Sequence, residues 1–472
     1  MGIVNLLVGV ANWLWGLPIL VIIIGGGLYV SIRIGFVQIR RFVYICSQTF
    51  GKMFQKAKNK GEISPFSAAV AALASTIGAS NIVGVPVAIA IGGPGAVFWM
   101  WVIALIGAGT KFGEVTLGIM YREKNEEGKW LGGPYYYCKK GLGGKIGLFL
   151  GTFYAFFLMI ELIPSIATQA ASATSQVVSL GMNQAVVGVI LAIVVGIVCI
   201  GGITRIAKVT DLMVPLMASL YLIGAGIVII VNIKALPGAF VSIFEYAFIP
   251  HAAFGGFAGS SIALALRWGA ARGVYSNEAG LGTAPMAHSN AEVDHPIRQA
   301  MWGVFEVTVD TLLICSFTAF AILTTGVWKA PGANENAGAL AQDAFTSVFG
   351  SAGNVFVSVS VFFFVLSTII VVLFYGERQA EFLFGLKFSK IWRWVYLLAT
   401  VVGGLGINIR TLYALTDFFL AMIIFPNMIA VIILAPKVKE KMDEFFNTPG
   451  KYYLADVEAK KLKKQKKSNG NS

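Results

Sequence analysis

The chain has 472 residues, of which 57% are hydrophobic and only 12% charged, with a formal net charge of +13. A soluble protein carries about twice that charged fraction, and here apolar runs of the roughly 20 residues needed to cross hydrocarbon recur from end to end. An ordinary soluble enzyme is excluded, and the runs lack the short strict alternation of a membrane β-barrel. An all-α polytopic membrane protein that moves a solute is expected, because helices satisfy their own backbone groups in lipid.

The basic surplus lies in loops such as Arg40 to Lys60 and in the tail, at Lys460, Lys461, Lys463, Lys464, Lys466 and Lys467. Basic segments beside apolar spans mark the cytoplasmic side and touch anionic lipid, so the charge argues for topology and against a nucleic-acid partner. The cysteines Cys46, Cys138, Cys199 and Cys315 form no CxxC pair or disulfide framework. His251, His288 and His295 lack metal-ligand spacing, and the last two flank a polar loop where solvation is expected. No catalytic metal and no organic cofactor are expected.

In chain order, the first apolar stretch, Trp13 to Tyr29, has no basic region before it and exceeds the length of a signal-peptide core, so a retained helix over roughly 13–36 is expected. A basic, amphipathic connection runs to Gly61. Further spans are placed near 65–92, 95–121, 146–180, 184–201 and 208–232. After a loop with Pro237 and Pro250, a second group follows near 256–288, 297–327, 352–376, 390–406 and 410–435. The polar stretch Lys329 to Gly350 is too polar to span and suits a surface helix. With the N-terminus outside and the C-terminus inside, the exterior loops hold only Lys234, Lys329 and Arg410 as basic residues. That separation supports eleven spans.

The ten spans after the first divide into two fives that enter from opposite sides, the geometry of an inverted repeat. The divisions expected are 1–61 for the extra helix and its connection, 62–232 and 233–435 for the repeats, and 436–472 for a basic cytoplasmic tail. An equal division gains force where corresponding helices are both broken. Ser75-Thr76-Ile77-Gly78-Ala79-Ser80-Asn81 crowds small and polar groups into an apolar span, which weakens helix and offers the backbone other hydrogen bonds. Close helix packing by small residues is the competing reading, and the Asn81 carboxamide, which needs a polar partner, weighs against it. Gly273 to Gly282 offers a second interruption at the start of the other half. Paired interruptions point to a transport site, with free carbonyls for a cation and N–H groups for a carboxylate.

Phe364-Val365-Leu366-Ser367-Thr368 puts two hydroxyls in an intensely apolar helix. They either bond back to the preceding turn or serve as hard oxygen donors to a small cation. The acidic residues within spans are Glu114, Glu161, Glu306, Asp310 and Asp417. Pairing with Lys111, Arg267 or Arg272 competes with function at each; pairing is expected for Glu114, while Glu161 and Asp310 stay open as proton sites. Gln169 is equally a substrate contact or a packing residue.

Gly92-Gly93-Pro94-Gly95-Ala96-Val97-Phe98-Trp99-Met100-Trp101-Val102-Ile103-Ala104-Leu105-Ile106-Gly107 resembles the signature of the alanine/glycine:cation symporter family, as does Ser276 to Pro285. The resemblance implies a leucine-transporter-like fold of two inverted five-helix repeats, with one extra N-terminal helix, and sodium-driven uptake of alanine or glycine. It implies a first sodium site at Asn81 and the Thr76 carbonyl. A second would use the Ala74, Ile77 and Phe364 carbonyls with the Ser367 and Thr368 hydroxyls. Ala79 and Ser80 N–H groups would meet the substrate carboxylate, within a substrate set of Thr76, Gly78, Ala79, Ser80, Gln169, Ser276 and Asn277. The expected partners are the amino acid, sodium and the cell-membrane bilayer, with no obligate protein partner. The alternative is a proton-coupled carrier of another small amino acid.

Overall fold

The computed structural model describes residues 2–53, 63–178, 180–249, 262–407 and 409–458. The second half of the Arg40 to Lys60 connection, Pro250, His251, the expected start of the span at 256 and the lysine tail lie outside the described residues. The described residues are mostly helical, joined by turns, with a small antiparallel hairpin pairing Glu123 with Leu131 and Lys124 with Trp130 and an isolated bridge between Ile63 and Ala291.

Among the described residues, seven helices are long and apolar enough to cross a bilayer, or eight if one bent pair counts as a single span. They are Leu6–Arg33, Gly95–Met120, Gly144–Val178, Gly202–Val231, Pro296–Thr325, Ser351–Phe384 and Thr411–Glu458, with Pro65–Thr76 and Ser80–Gly92 as the pair bent by 46°. Gln184–Cys199 is apolar but has only 16 residues. Ile262–Asn277 and Leu386–Gly403 are helices at expected positions that carry more polar sequence. Length and composition therefore give a polytopic helical membrane protein and stop short of eleven spans.

The helix starts follow local chemistry. Ser64 caps Pro65–Thr76 by accepting from Ser67 N at 3.0 Å, with Pro65 at the first helical position, where its missing N–H costs nothing. Asn183 caps Gln184–Cys199 in the same way, accepting from Ala185 N at 2.9 Å. Beyond Lys234, where a loop is expected, Leu236–Phe248 is a helix opened by Pro237. The surface helix expected before Gly350 is present as Leu340–Phe349.

The outer face identifies the solvent. On Gly202–Val231, Leu212, Leu216, Leu220, Ile223, Ile227 and Ile230 are all exposed, spaced by three or four residues into one apolar stripe. In water such a stripe would be a liability; in lipid it is the matched surface. The interior inverts the usual rule and collects polar groups, including Asn81, Asp310, Glu114, Glu306 and Lys111, none with measurable exposure. Buried ionisable groups of this kind must be paired or hydrogen-bonded.

Candidate functional site

The first broken helix supplies the centre of the site. Helix Pro65–Thr76 ends at Ile77, whose ψ of 87° leaves the helical region, and a widened turn resumes at Ser80–Gly84 before Val85–Gly92. Gly78 sits where nothing larger fits: a Cβ there would lie 2.7 Å from Thr368 Oγ1 and 3.3 Å from Gln169 Nε2. The Asn81 side chain closes the break, its Oδ1 accepting from Gly78 N at 2.9 Å and from Ser80 Oγ at 3.4 Å. Gln169, on Gly144–Val178, brings its Oε1 to 3.2 Å from Ala79 N. A side-chain oxygen thus occupies an N–H group expected to meet a carboxylate. The Thr76 hydroxyl bonds back to Leu73 O at 3.0 Å, so only its backbone is free for a ligand.

Asn81 Nδ2 points the other way, 2.7 Å from Asp310 Oδ1, 3.2 Å from Ser276 Oγ and 3.3 Å from Cys315 Sγ. The carboxylate sets the amide orientation: an ionised Asp310 only accepts, so Nδ2 must face it and Oδ1 must face Gly78. Ser276 Oγ and Thr311 Oγ1 each donate to Asp310 Oδ2 at 2.7 Å. Asp310, Thr311 and Cys315 belong to a π-helical stretch, Thr308–Cys315, within the span that begins at Pro296. Asn277 is drawn off the centre. Its Nδ2 donates to Thr311 Oγ1 at 3.2 Å, and its Oδ1 caps Ala279 N at 3.0 Å.

A second cluster lies on the other side of the break. Thr368 Oγ1 stands 3.0 Å from Ala74 O, 3.2 Å from Ile77 O and 3.0 Å from Phe364 O. One hydroxyl has one proton to give, so three converging carbonyls leave an oxygen surplus of the kind a hard monovalent cation suits. Ser367 does not join this cluster by its side chain; it bonds back to Phe364 O at 2.8 Å and faces Met217 Sδ.

The second helix breaks later than expected. Ile262–Asn277 stays helical through Gly273, and the irregular segment begins at Glu278, with φ of 55°, and includes Gly280 and Gly282 at 93° and 76°, before Ala284–His288. Gly273 serves packing instead: its Cβ position lies 3.4 Å from Ile103 Cγ2. Glu278 Oε2 accepts from Thr283 Oγ1 at 2.5 Å and from Ser75 Oγ at 3.2 Å, joining the two breaks.

Other acidic residues distribute differently from the sequence expectation. Lys111 pairs with Glu306 at 3.0 Å. Glu114, expected to take an ion-pair partner, instead accepts from Gly280 N at 3.1 Å and Asn427 Nδ2 at 2.5 Å, because its place is beside the second break. His288 and His295 are buried, not solvated. His288 lies between Glu306 Oε2 at 3.1 Å and Gln299 Nε2 at 2.7 Å, and His295 caps the helix at Pro296, accepting from Ile297 N at 3.2 Å. Glu161 is 1% exposed, with Oε1 lacking a hydrogen-bond partner among the described residues.

Asp310 and Glu278 were detectable as acids in or near spans. Their alignment with Asn81 and Ser75 was not, since it depends on contacts 229 and 203 positions apart.

The family profile described as "Sodium:alanine symporter family" matches residues 1–458. The chain is 47% identical over 456 residues to the uncharacterized transporter YflA of Bacillus subtilis (strain 168), covering 96% of each chain. It is 35% identical over 448 residues to the sodium/alanine symporter AgcS of Methanococcus maripaludis, covering 94% of this chain and 98% of that one. It is 35% identical over 449 residues to the probable sodium/glutamine symporter GlnT of Bacillus subtilis, covering 93% and 90%. These relatives are transporters and not enzymes, and the chain belongs to the sodium:alanine symporter family.

Proposed function

We propose that this chain is a secondary active symporter that imports a small neutral amino acid, alanine or glycine, together with sodium by alternating access. The observation that carries the reading is the oxygen cluster of Ala74, Ile77, Phe364 and Thr368 against a helix broken at Gly78. Sodium at that cluster, with Ser367 shifting its hydroxyl inward, would balance the carbonyl surplus and hold the break in one geometry. A further sodium would take Asn81 Oδ1 and the Thr76 carbonyl. Asp310, held by three donors, fixes the amide that presents that oxygen.

The substrate carboxylate would displace Gln169 from Ala79 N and reach Ser80 N as well. Thr76, Gly78 and Ser276 line the same space, and Asn277 contributes by holding the second break. Thr368 and Gln169 crowd the break, where a Cβ at Gly78 would lie 2.7 Å from Thr368 Oγ1 and 3.3 Å from Gln169 Nε2. That crowding supports a short side chain, alanine or glycine, over the glutamine named for one relative. The architecture we propose is eleven spans, N-terminus outside and C-terminus inside, with 62–232 and 233–435 as inverted five-helix repeats.

Uptake into proteoliposomes under an inward sodium gradient tests the reading. Labelled alanine or glycine should accumulate, and replacing sodium by choline at fixed pH should abolish it. Undiminished uptake in choline would favour the second reading, proton coupling, for which the observation is the buried Glu161, whose Oε1 lacks a hydrogen-bond partner among the described residues.

A further inference from the structure

Away from the broken helices, where the first apolar helix ends, the chain builds a second cavity. The first span ends at Arg33. Gly35 and Phe36, with φ of 64° and 51°, turn the backbone into two short helices, Val37–Arg40 and Phe42–Thr49. Their inner side buries Ile45, Gln48 and Thr49. Their outer side exposes Ile39, Phe42 and Val43, the last at 84%. An apolar outer face so soon after the end of a span lies at the edge of the hydrocarbon.

From the other end of the chain, Gly450 and Tyr452, with φ of 65° and 45°, turn the segment after helix Ile409–Asn447 back toward this arm. Tyr453 meets Tyr44 edge-on with ring centroids 4.9 Å apart. Between the two segments lies an open cavity lined by Arg40, Arg41, Val43, Tyr44, Ser47 and Tyr453, with Asp456 in its wall.

The cationic groups of this cavity have capacity to spare. The Arg41 guanidinium is stacked over the Phe446 and Tyr453 rings at 5.1 and 5.0 Å, and it gives one hydrogen bond, to Tyr453 Oη at 3.1 Å. A guanidinium has five N–H donors in a planar fork. Among the described residues Arg40 reaches only Gly35 O, at a long 3.4 Å. Neither has a carboxylate partner among the described residues, since Asp456 is taken up by Arg298 at 3.0 Å and Tyr44 at 2.9 Å.

We propose that this cavity binds an anionic membrane phospholipid, its phosphate held by Arg40 and Arg41 and its acyl chains lying along Ile39 and Val43. Guanidinium forks match phosphate oxygens in pairs. The exposed valine and isoleucine continue the apolar surface where acyl chains begin, so lipid complements both halves of the site at once. A bound lipid would tie the N-terminal arm to the C-terminal segment. The inference rests on the first span lying in the membrane, and on neither the cargo nor the orientation, so it stands or falls separately from sodium symport.

Native mass spectrometry of the full chain in neutral detergent tests it, with phosphatidylglycerol and phosphatidylcholine of matched acyl chains as probes. The wild type should retain phosphatidylglycerol at one copy per chain, preferred by roughly tenfold or more over phosphatidylcholine. Arg40→Gln with Arg41→Gln should abolish that preference. Should the double variant fold poorly, Arg40→Gln alone, at an exposed position, should reduce the preference, and Val43→Asp should weaken both lipids. Equal retention of the two lipids by the wild type would overturn the proposal, as would an undiminished preference in the arginine variants. Displacement of the adduct by millimolar inorganic phosphate would equally overturn it, in favour of a simple anion site.

Discussion

Thr368 has a single proton to share among three carbonyls, and that imbalance makes it the most informative residue of the centre. Thr368→Val keeps the shape and removes the hydroxyl, leaving Ala74 O and Ile77 O without their partner. The sodium concentration giving half-maximal uptake should rise by roughly tenfold or more, about 1.4 kcal/mol, while Thr368→Ser restores it. An unchanged sodium dependence would remove Thr368 from the ion site. Asn81 behaves as a coupled unit with Asp310. Asn81→Ala loses the donor to Asp310 and the acceptor for Gly78 N together, and should raise the sodium requirement by a similar factor; sodium titration of uptake decides it.

His295 gives a separate handle at this scale, outside the spans. Burial draws its imidazole down from 6.5 to about 4, against an opposing pull from Glu444 and Asp294 and alongside Lys441 and Arg298. Between those values the unfolded chain takes up the proton and the folded one does not, so stability falls as pH drops from about 6.5 toward 4 and levels off below. His295→Asn keeps an acceptor for Ile297 N and removes the titration. Its thermal unfolding should show a flatter pH profile over that window than the wild type.

At the scale of elements, the first break was legible and the second only in part. Gly78, Ser80 and Asn81 each act locally: one leaves room, one donates, one caps the turn, so composition alone points to the right place. In the other helix, Gly273 looked like the same signal but is a packing glycine, as is Gly269 one turn earlier. A Cβ at Gly269 would lie 2.4 Å from Ala96 O, so the helix stays intact there and presses against Gly95–Met120. The true signal was Gly280 and Gly282, whose positive φ a side chain rarely adopts. Glu278 takes a positive φ without being glycine, a cost that its bonds to Ser75 and Thr283 offset. Because Ser75 adjoins Ala74 and Thr76, this carboxylate ties the oxygen cluster around Thr368 to the second break. Glu278→Ala should cut maximal uptake at saturating sodium by roughly tenfold, whereas Glu278→Gln, which keeps an acceptor, should retain most of it. Equal loss in both would assign the effect to charge and not to the hydrogen-bonded link.

For the whole molecule, orientation rests on charge and continuity rather than on any one contact. Gln184–Cys199 falls below the length of a span, and Ile262–Asn277 and Leu386–Gly403 carry too much polar sequence to announce themselves. Loop charge carries what hydropathy cannot. With eleven spans, Lys234 and Lys329 fall outside and Lys437 inside; losing one span would move some of them to the opposite face. Single cysteines at these positions read the sides directly. Cys138, Cys199 and Cys315 are buried and Cys46 is partly exposed, so a Cys46→Ser background is quiet toward an impermeant maleimide. In intact cells Lys234→Cys and Lys329→Cys should label, and Lys437→Cys should label only after the membrane is opened. Inversion of all three results would reverse the orientation. Labelling of Lys437→Cys together with the other two in intact cells would break the odd-numbered count between them, and with it the two-by-five division on which the inverted repeat depends.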